Sequence, residues 1–285
     1  MAVLPTASLR RVCRVLGVAR AGLYPAPCGK QDRKPATAPD PGSTLTTLVA
    51  RIRELARLNP TFGYRRLWSL LRHGDGLPIN RKRVHRLVKS LRLQVKRREA
   101  APRPRVQQSK SRAGASDERW AVDVTHIYCG RDGWGHLAAV IDCHDREIVG
   151  FEFALRGRAK EAERALEAAC LSRFGTLRPE QDQAPTLRSD NGLIFTSRSF
   201  RAACKFYRLE QEFITPYTPE QNGMIERFFR SLKEECVWQH NFASFEQARK
   251  EIARWIGWYN RERPHQALGY NAPQQFRRQQ RLSVV

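Results

Sequence analysis

Residues 119–128 include the run Trp120-Ala-Val-Asp123-Val-Thr-His-Ile-Tyr128, an apolar, β-rich segment with a single carboxylate at its centre. A charge placed inside such a strand has to be stabilised by something the chain brings to it. From residue 118 onward the pattern is strands followed by helices. Residues 119–128, 134–143 and 146–154 read as three strands in a meander, with Gly130-Arg-Asp-Gly133 and Cys143-His-Asp-Arg146 as turns. Then come a helix over 159–172, a short strand over 185–190, a helix over 197–207 and a strand over 209–214. Two long helices, about 219–239 and 244–261, complete the series.

Two further acids stand where a partner for Asp123 would be useful. Asp190 ends the strand-like Pro185-Thr-Leu-Arg-Ser189 and is followed by the turn signal Asn191-Gly192. Glu226 lies one turn into the helix that opens after Thr218-Pro219, and 35 residues separate it from Asp190. Two strand-borne aspartates and a helix-borne glutamate can converge on divalent metal, a set suited to phosphodiester chemistry. On the glutamate helix, Ile225, Phe228, Phe229, Leu232 and Cys236 form an apolar stripe. Beside it, Asn222, Glu226, Arg230 and Lys233 form a polar stripe, on which Asn222, Arg230 and Lys233 are expected to face DNA. Lys233 follows Glu226 by about two turns, roughly 10 Å of helix rise, which suits a DNA phosphate beside the metals rather than the metals themselves.

Charge divides the chain. The net charge is +23 and the pI about 10.6, which points to a polyanionic partner. Residues 1–115 carry a net charge of +21 and residues 116–285 a net of +2, so a basic binding region precedes a nearly neutral catalytic one. Residues 1–26 read as a helix-turn-helix-like segment and 27–44 as a Pro-containing linker. Residues 45–98 read as a basic helical DNA-binding domain. There Leu45, Leu48, Val49, Ile52, Leu55 and Ala56 repeat at helical spacing, Asn59-Pro60 breaks the helix, and residues 63–71 make another. Asn80 then caps a helix over 81–91 with a Val84, Leu87, Val88 and Leu91 stripe. Its remaining face holds Arg81, Lys82, Arg83, Arg86 and Lys89, cations of one sign that suit a DNA groove. Residues 99–117 read as a second linker, 118–275 as the catalytic core and 276–285 as a tail.

Seven cysteines without a C-x-x-C pair speak against a disulfide framework or a cysteine-rich zinc site. With no apolar run of membrane-spanning length and no signal-peptide core, a cytosolic protein is expected. Asp142, His144 and Asp145 surround a turn, where a hydrogen-bonding role for Asp142 is expected over metal ligation. His265 fits packing or DNA contact equally, and Trp255 and Trp258 are read as core.

Asp123, Asp190, 35 intervening residues, Glu226 and Lys233 together resemble the D,D(35)E signature of retroviral integrases and related transposases. Ser189-Asp-Asn-Gly192, Thr218-Pro-Glu-Gln-Asn-Gly-Met-Ile-Glu226-Arg-Phe-Phe229 and Leu232-Lys-Glu-Glu235 resemble the central motifs of one group, the second-frame (OrfB) transposases of bacterial insertion-sequence family three. Tyr259-Asn260, Arg263-Pro-His265, Leu268-Gly-Tyr270 and Pro273 resemble its C-terminal signature. Asn59-Pro60, Phe62-Gly-Tyr-Arg-Arg66 and Val84-His-Arg-Leu87 resemble its upstream helical region. The resemblance runs from about residue 8 to 275; His126 departs from the family's more usual Tyr.

What the resemblance implies is specific. The fold would be α/β, a ribonuclease-H-like core with a mixed five-stranded sheet and flanking helices, preceded by small all-α helix-turn-helix-like units. Asp123, Asp190 and Glu226 would be catalytic, with Asp123 bridging two Mg2+ ions (Mn2+ substituting) and the other two acids holding one each. Oxygen-only ligands favour these ions over Zn2+. The enzyme would nick transposon ends with water and join the resulting 3′-OH to a target phosphodiester. Its partners would be double-stranded DNA at the ends and target, further copies of itself on DNA, and an upstream-frame protein or frameshift fusion. Two alternatives stand beside this: a nuclease of the same fold that does not join, and a non-catalytic DNA-binding derivative.

Overall fold

The structure is a computed structural model that describes residues 41–95, 113–180, 184–216 and 218–283. The chain divides into two compact units, Met1–Leu48 and Val49–Val285. The helix-turn-helix-like segment expected over 1–26 lies outside the described residues, as does most of the expected linker over 99–117.

The basic module consists of α1 (Pro41–Leu58), α2 (Tyr64–Ser69), a π turn (Leu70–Gly74) and α3 (Arg81–Ser90). The first helix begins inside the stretch expected to be linker. Ile52 and Leu55 of α1 are buried with Leu67 and Leu71, and with Val84 and Val88 of α3. Asn80 caps α3 as expected, its side-chain oxygen accepting from the Lys82 N–H at 2.8 Å.

The core is a mixed five-stranded sheet in the order β3-β2-β1-β4-β5, made of β1 (Arg119–Tyr128), β2 (Trp134–Asp142), β3 (Ile148–Ala154), β4 (Thr186–Ser189) and β5 (Glu210–Phe213). β1–β3 are antiparallel, and β4 and β5 run parallel to β1. The helices are α4 (Ala159–Phe174), α5 (Leu193–Thr196), α6 (Arg198–Phe206), α7 (Gly223–Glu235), α8 (Phe245–Arg261) and α9 (Pro273–Ser283).

The two-residue period of β1 and β2 sorts their side chains into two cores. Trp120, Val122, Ala138 and Val140 pack with Ala165, Leu166 and Ala169 of α4 and Phe200 of α6. Ala121, Ile127, Leu137, Ala139 and Ile141 pack with Ile225, Phe228 and Leu232 of α7 and Ile252 and Ile256 of α8. Because both faces are covered, the central strands read as nearly continuous apolar runs. Helix α4 lies close over β3 because Gly150 has no Cβ; one built there would fall 2.2 Å from the Ala165 carbonyl oxygen.

Several boundaries differ from the sequence reading. The helix expected over 219–239 is three pieces: a 3-10 turn (Pro219–Asn222), α7, and a second 3-10 turn (Val237–Gln239). Most of the expected tail is helix α9, held by ion pairs from Arg277 to Asp117 (2.6 Å) and Asp145 (3.2 Å). Asp142 organises its turn as expected, accepting from the N–H groups of Asp117, His144 and Asp145. Arg173 of α4 reaches the same cluster, 2.9 Å from Asp145 and 3.3 Å from Asp117.

Glu235, the last residue of α7, joins the basic module to the core. Its carboxylate receives Arg263 through two bonds (2.7 and 2.6 Å) and Arg66 of α2 through one (2.9 Å). Around it Phe62 packs on Trp258, Arg66 lies over the Phe62 ring, and Trp68 meets Tyr270 edge-on. Arg263 is only 3% exposed, so removal of its carboxylate strands a buried cation. Glu235→Gln is expected to lower stability by about 3–5 kcal/mol. Arg66→Gln, at the more exposed end, should cost about 1 kcal/mol or less. Urea midpoints check this, and equal, small effects of the two changes would contradict the arrangement.

Candidate active site

Strand register brings the two aspartates level. β1 and β4 pair in parallel as far as Ala121 with Arg188. Two residues further along each chain stand Asp123, within β1, and Asp190, just past the end of β4. Asp123 has the odd-numbered phase of β1, the phase of Ala121 and Ile127, so it faces the α7–α8 layer. Glu226 lies in the first turn of α7 in that layer. Each aspartate is oriented by a local bond: Asp123 accepts from the Val124 N–H at 2.7 Å, and Asp190 from the Gly192 N–H at 2.9 Å. A Cβ at Gly192 would sit 2.8 Å from the Asp190 carboxylate, so a larger residue there would oblige that side chain to shift.

The electrostatics show which groups feel one another. Burial is the main cause that raises the Asp123 carboxyl to a pKa of about 7. The Val124 N–H bond works against this, the charges of Asp190 and Glu226 push further up, and Lys233 pulls back down. All three acids and Lys233 thus act on one centre. Among the described residues, no three His, Cys, Asp or Glu side chains are gathered at metal-coordinating distance. Three carboxylates are expected to stand apart when no cation offsets their repulsion.

A clip that the sequence reading did not identify holds the acid-bearing elements together. Arg188, buried in β4, donates to the Gln221 carbonyl at 3.0 Å, in the 3-10 turn that leads into α7. The same guanidinium bonds Glu212 of β5 twice, at 2.9 and 3.2 Å, and Arg119 joins Glu212 from β1. Gln221 also accepts from the Thr215 N–H at 2.8 Å. The signal available in the sequence was an arginine inside a short apolar strand, with a glutamate in phase on the next one.

The other site residues divide. The apolar stripe Ile225, Phe228, Phe229, Leu232 and Cys236 is buried as expected. Arg230 is exposed and pairs with Glu234 at 2.9 Å. Lys233 is half-buried, on the same side as Asp123. Asn222 is a correction: expected on the DNA-facing stripe, it is 3% exposed, with its side-chain oxygen buried at the junction of the 3-10 turn and α7. The junction turns it inward, because the helix proper starts only at Gly223. Arg81, Lys82, Arg83, Arg86 and Lys89 are all exposed on α3. His265 is packed, edge-on to Tyr259 and 3.3 Å from Arg263; burial, followed by the charge of Arg263, holds its pKa well below the usual value. Trp255 is buried and Trp258 partly so, in the expected core. The cysteines among the described residues are buried and form no disulfide.

The integrase core domain family matches residues 114–219, a second integrase core domain family matches 207–273, and an HTH-like domain family matches 45–101. An insertion element IS476 protein of Xanthomonas euvesicatoria is 33% identical over 94% of this chain and 72% of its own length. An insertion element IS407 protein of Burkholderia multivorans is 30% identical over 97% and 93%. The transposase InsD of insertion element IS2 in Escherichia coli is 29% identical over 82% and 79%. The chain belongs to the insertion-sequence transposases with an integrase core. Within these it is of the family-three OrfB type, and its core is ribonuclease-H-like. Among solved structures, the HTLV-2 integrase catalytic core in complex with magnesium aligns with 58% of this chain and 99% of that one, at 18% identity and a TM-score of 0.44. No helix among the described residues is long and apolar enough to cross a membrane.

The raised Asp123 pKa has a definite pH signature. Between the ordinary carboxyl value of 3.8 and about 7, the folded chain binds a proton that the unfolded chain has released. The stability penalty from Asp123 is therefore absent below pH 3.8, grows across that window and is full above pH 7. Asp123→Asn is expected to raise the melting temperature of metal-free protein more at pH 8 than at pH 5. Added Mg2+ should raise that of the parent and leave the variant's nearly unchanged. A variant stabilised equally at both pH values would contradict the origin assigned to the shift.

Proposed function

We propose that this transposase nicks the ends of its element and joins the exposed 3′-OH to target DNA by two-metal-ion catalysis. The observation that supports it best is electrostatic: Asp190 and Glu226, 35 residues apart, both raise the pKa of Asp123. A destabilised group of carboxylates of this kind is relieved by cations. The donors are all oxygen, which fits Mg2+, with Mn2+ able to replace it. Asp123 would bridge the two ions, while Asp190 and Glu226 would each hold one. When bound, the ions activate the attacking oxygen and stabilise the leaving one.

The chain's own residues supply position and charge. Arg188 ties the turn before α7 to the strand that leads to Asp190, which limits how far the two acid-bearing elements can move apart. Lys233, half-buried beside Asp123, would hold a phosphate next to the scissile bond, with Arg230 at the outer rim. Arg81, Lys82, Arg83, Arg86 and Lys89 would grip the backbone of the transposon end. In the first step, water attacks the phosphodiester and leaves a 3′-OH and a 5′-phosphate. In the second, that 3′-OH attacks a target phosphodiester and displaces another 3′ oxygen, so bonds broken and formed are equal in number. Assembly of several copies on DNA, and an upstream-frame protein or frameshift fusion, belong to this reading, as do a cytoplasmic, nucleoid-associated setting and a division into a basic DNA-binding domain and a catalytic core.

Labelled element ends incubated with the full chain, target DNA and Mg2+ test it. Nicked and joined products are expected. Asp123→Asn, Asp190→Asn and Glu226→Gln should each lower both by roughly a thousandfold or more, since an ion contributes several kcal/mol to the transition state. DNA affinity should stay close to the parent's. Neutralising two cations of α3 should instead weaken binding and flatten its salt dependence, by about 0.9 in logarithmic slope per lost phosphate contact. Nicking without any joining would favour the nuclease alternative. Full joining by any triad variant would remove that residue from the site.

A further inference from the structure

β1 and β2 continue past the point where β4 ends. The pairs His126–His136 and Tyr128–Trp134 lie beyond Ala121–Arg188, the last pairing of β1 with β4. Their even-numbered phase is that of Trp120 and Val122, which are buried under α4 and α6. That cover does not reach the far rungs. Tyr128 is 58% exposed and Trp134 59%, their rings meeting edge-on at 5.5 Å. Behind them the His126 and His136 rings meet at 4.7 Å, so two aromatic rungs follow each other along one open face.

Cations surround this face. Arg131, in the hairpin turn, has a side chain 80% exposed. Arg156, Arg158 and Lys160 are exposed in the segment after β3. That segment lies on the ringed face: a Cβ at Gly157 would fall 2.5 Å from His136 Nδ1. Of the acids nearby, Asp132 accepts from the Phe245 N–H (2.7 Å) and lies 3.9 Å from the exposed Arg131, and Glu161 accepts from the Arg158 N–H (2.9 Å). Stabilisation of the hairpin accounts for ring contact across the strands. It does not account for two large rings more than half exposed among cations.

Exposed rings flanked by arginines are the chemistry that holds single-stranded nucleic acid, where every unpaired base offers a π-face and every phosphate a charge. Tyr128 lies five residues along β1 from Asp123, about 17 Å, on the opposite face of the sheet, so a strand leaving the active site would reach it by passing round the hairpin end. We infer that the Tyr128–Trp134 face, with Arg131, Arg156 and Arg158, binds an unpaired DNA strand at the hairpin end of the sheet, on the face opposite the acids. This rests on the reading of the chain as a DNA-cutting transposase. A second copy of the chain is the less favoured occupant, because two such faces would oppose like charges.

The test uses the full chain without divalent metal and two probes: a duplex element end, and the same end with an unpaired tail carrying 5-iodouracil. Irradiation followed by peptide mapping is expected to place the tail on Tyr128 or Trp134. The Tyr128→Ser/Trp134→Ser double change should weaken binding of the tailed end by roughly fivefold or more relative to the duplex end. Arg156→Ala/Arg158→Ala should weaken it in the same direction and flatten its salt dependence. Both variants alter exposed side chains, and an unchanged melting temperature verifies their folding. Tail cross-links confined to α3 or α7, with equal affinities for the two probes, would overturn the inference while leaving DNA binding intact. Loss of self-association in the double variant, without loss of tail binding, would assign the face to chain–chain contact instead. Failure of the parent to bind either probe would overturn both this inference and the function on which it rests.

Discussion

Like charges repel, and Asp123 is a partly buried carboxylate on which the charges of two others act, offset in part by the Val124 N–H and by Lys233. The Asp123 carboxyl, raised to about pH 7 by burial and by Asp190 and Glu226, shows that the fold imposes this placement against a gradient. The rest of the core can be understood as the means of imposing it. Parallel pairing of β1 with β4 sets the two aspartates level. The apolar stripe of α7 is driven into the sheet by Ile225, Phe228 and Leu232, which leaves Glu226 exposed beside that stripe, within electrostatic reach of Asp123. Arg188 then ties the turn before α7 to β4 and β5, and its cost of burial is offset by Glu212 and the Gln221 carbonyl.

Two buried ion networks extend this rigidity to the chain's remote segments. Glu235 ends the helix that begins near Glu226, and on it converge Arg263 from the C-terminal region and Arg66 from the basic module. One helix therefore carries a candidate metal ligand near one end and the anchor of the basic module at the other. DNA held by α3 would thus be held at a set distance from the acids. At the opposite end of β2, Asp142 and Asp145 with Arg173 and Arg277 fasten α4 and α9 to the sheet. Asp142 itself is pushed up to about pH 7, mainly by burial and then by Asp145, the signature of a crowded structural cluster away from the candidate site.

Much of this was legible because it is local. The two-residue period of β1, the Asn80 cap and the apolar stripe of α7 each depend on residues a few positions apart, and each appears where the sequence puts it. Asp123, Asp190 and Glu226 were legible as a set because their spacing resembles a known signature. What escaped is non-local. Helix α9 has little apolar periodicity, and its docking relies on Arg277 finding Asp117 and Asp145 far back in the chain. Arg188 has no local mark of its role, because its partners Glu212 and Gln221 come from other elements. Asn222 was assigned to an exposed stripe by extending helical phase one residue too early, across a 3-10 turn that points it inward.

The claim on which all of this converges is that the three acids form one divalent-metal centre. Crystals of the full chain soaked in Mn2+, with diffraction recorded at the manganese absorption edge, address it directly. Two anomalous peaks are predicted, roughly 3.5–4 Å apart, with Asp123 touching both, Asp190 and Glu226 touching one each, and Lys233 touching neither. Manganese bound elsewhere on the chain, with Asp123, Asp190 and Glu226 left uncoordinated, would contradict the account.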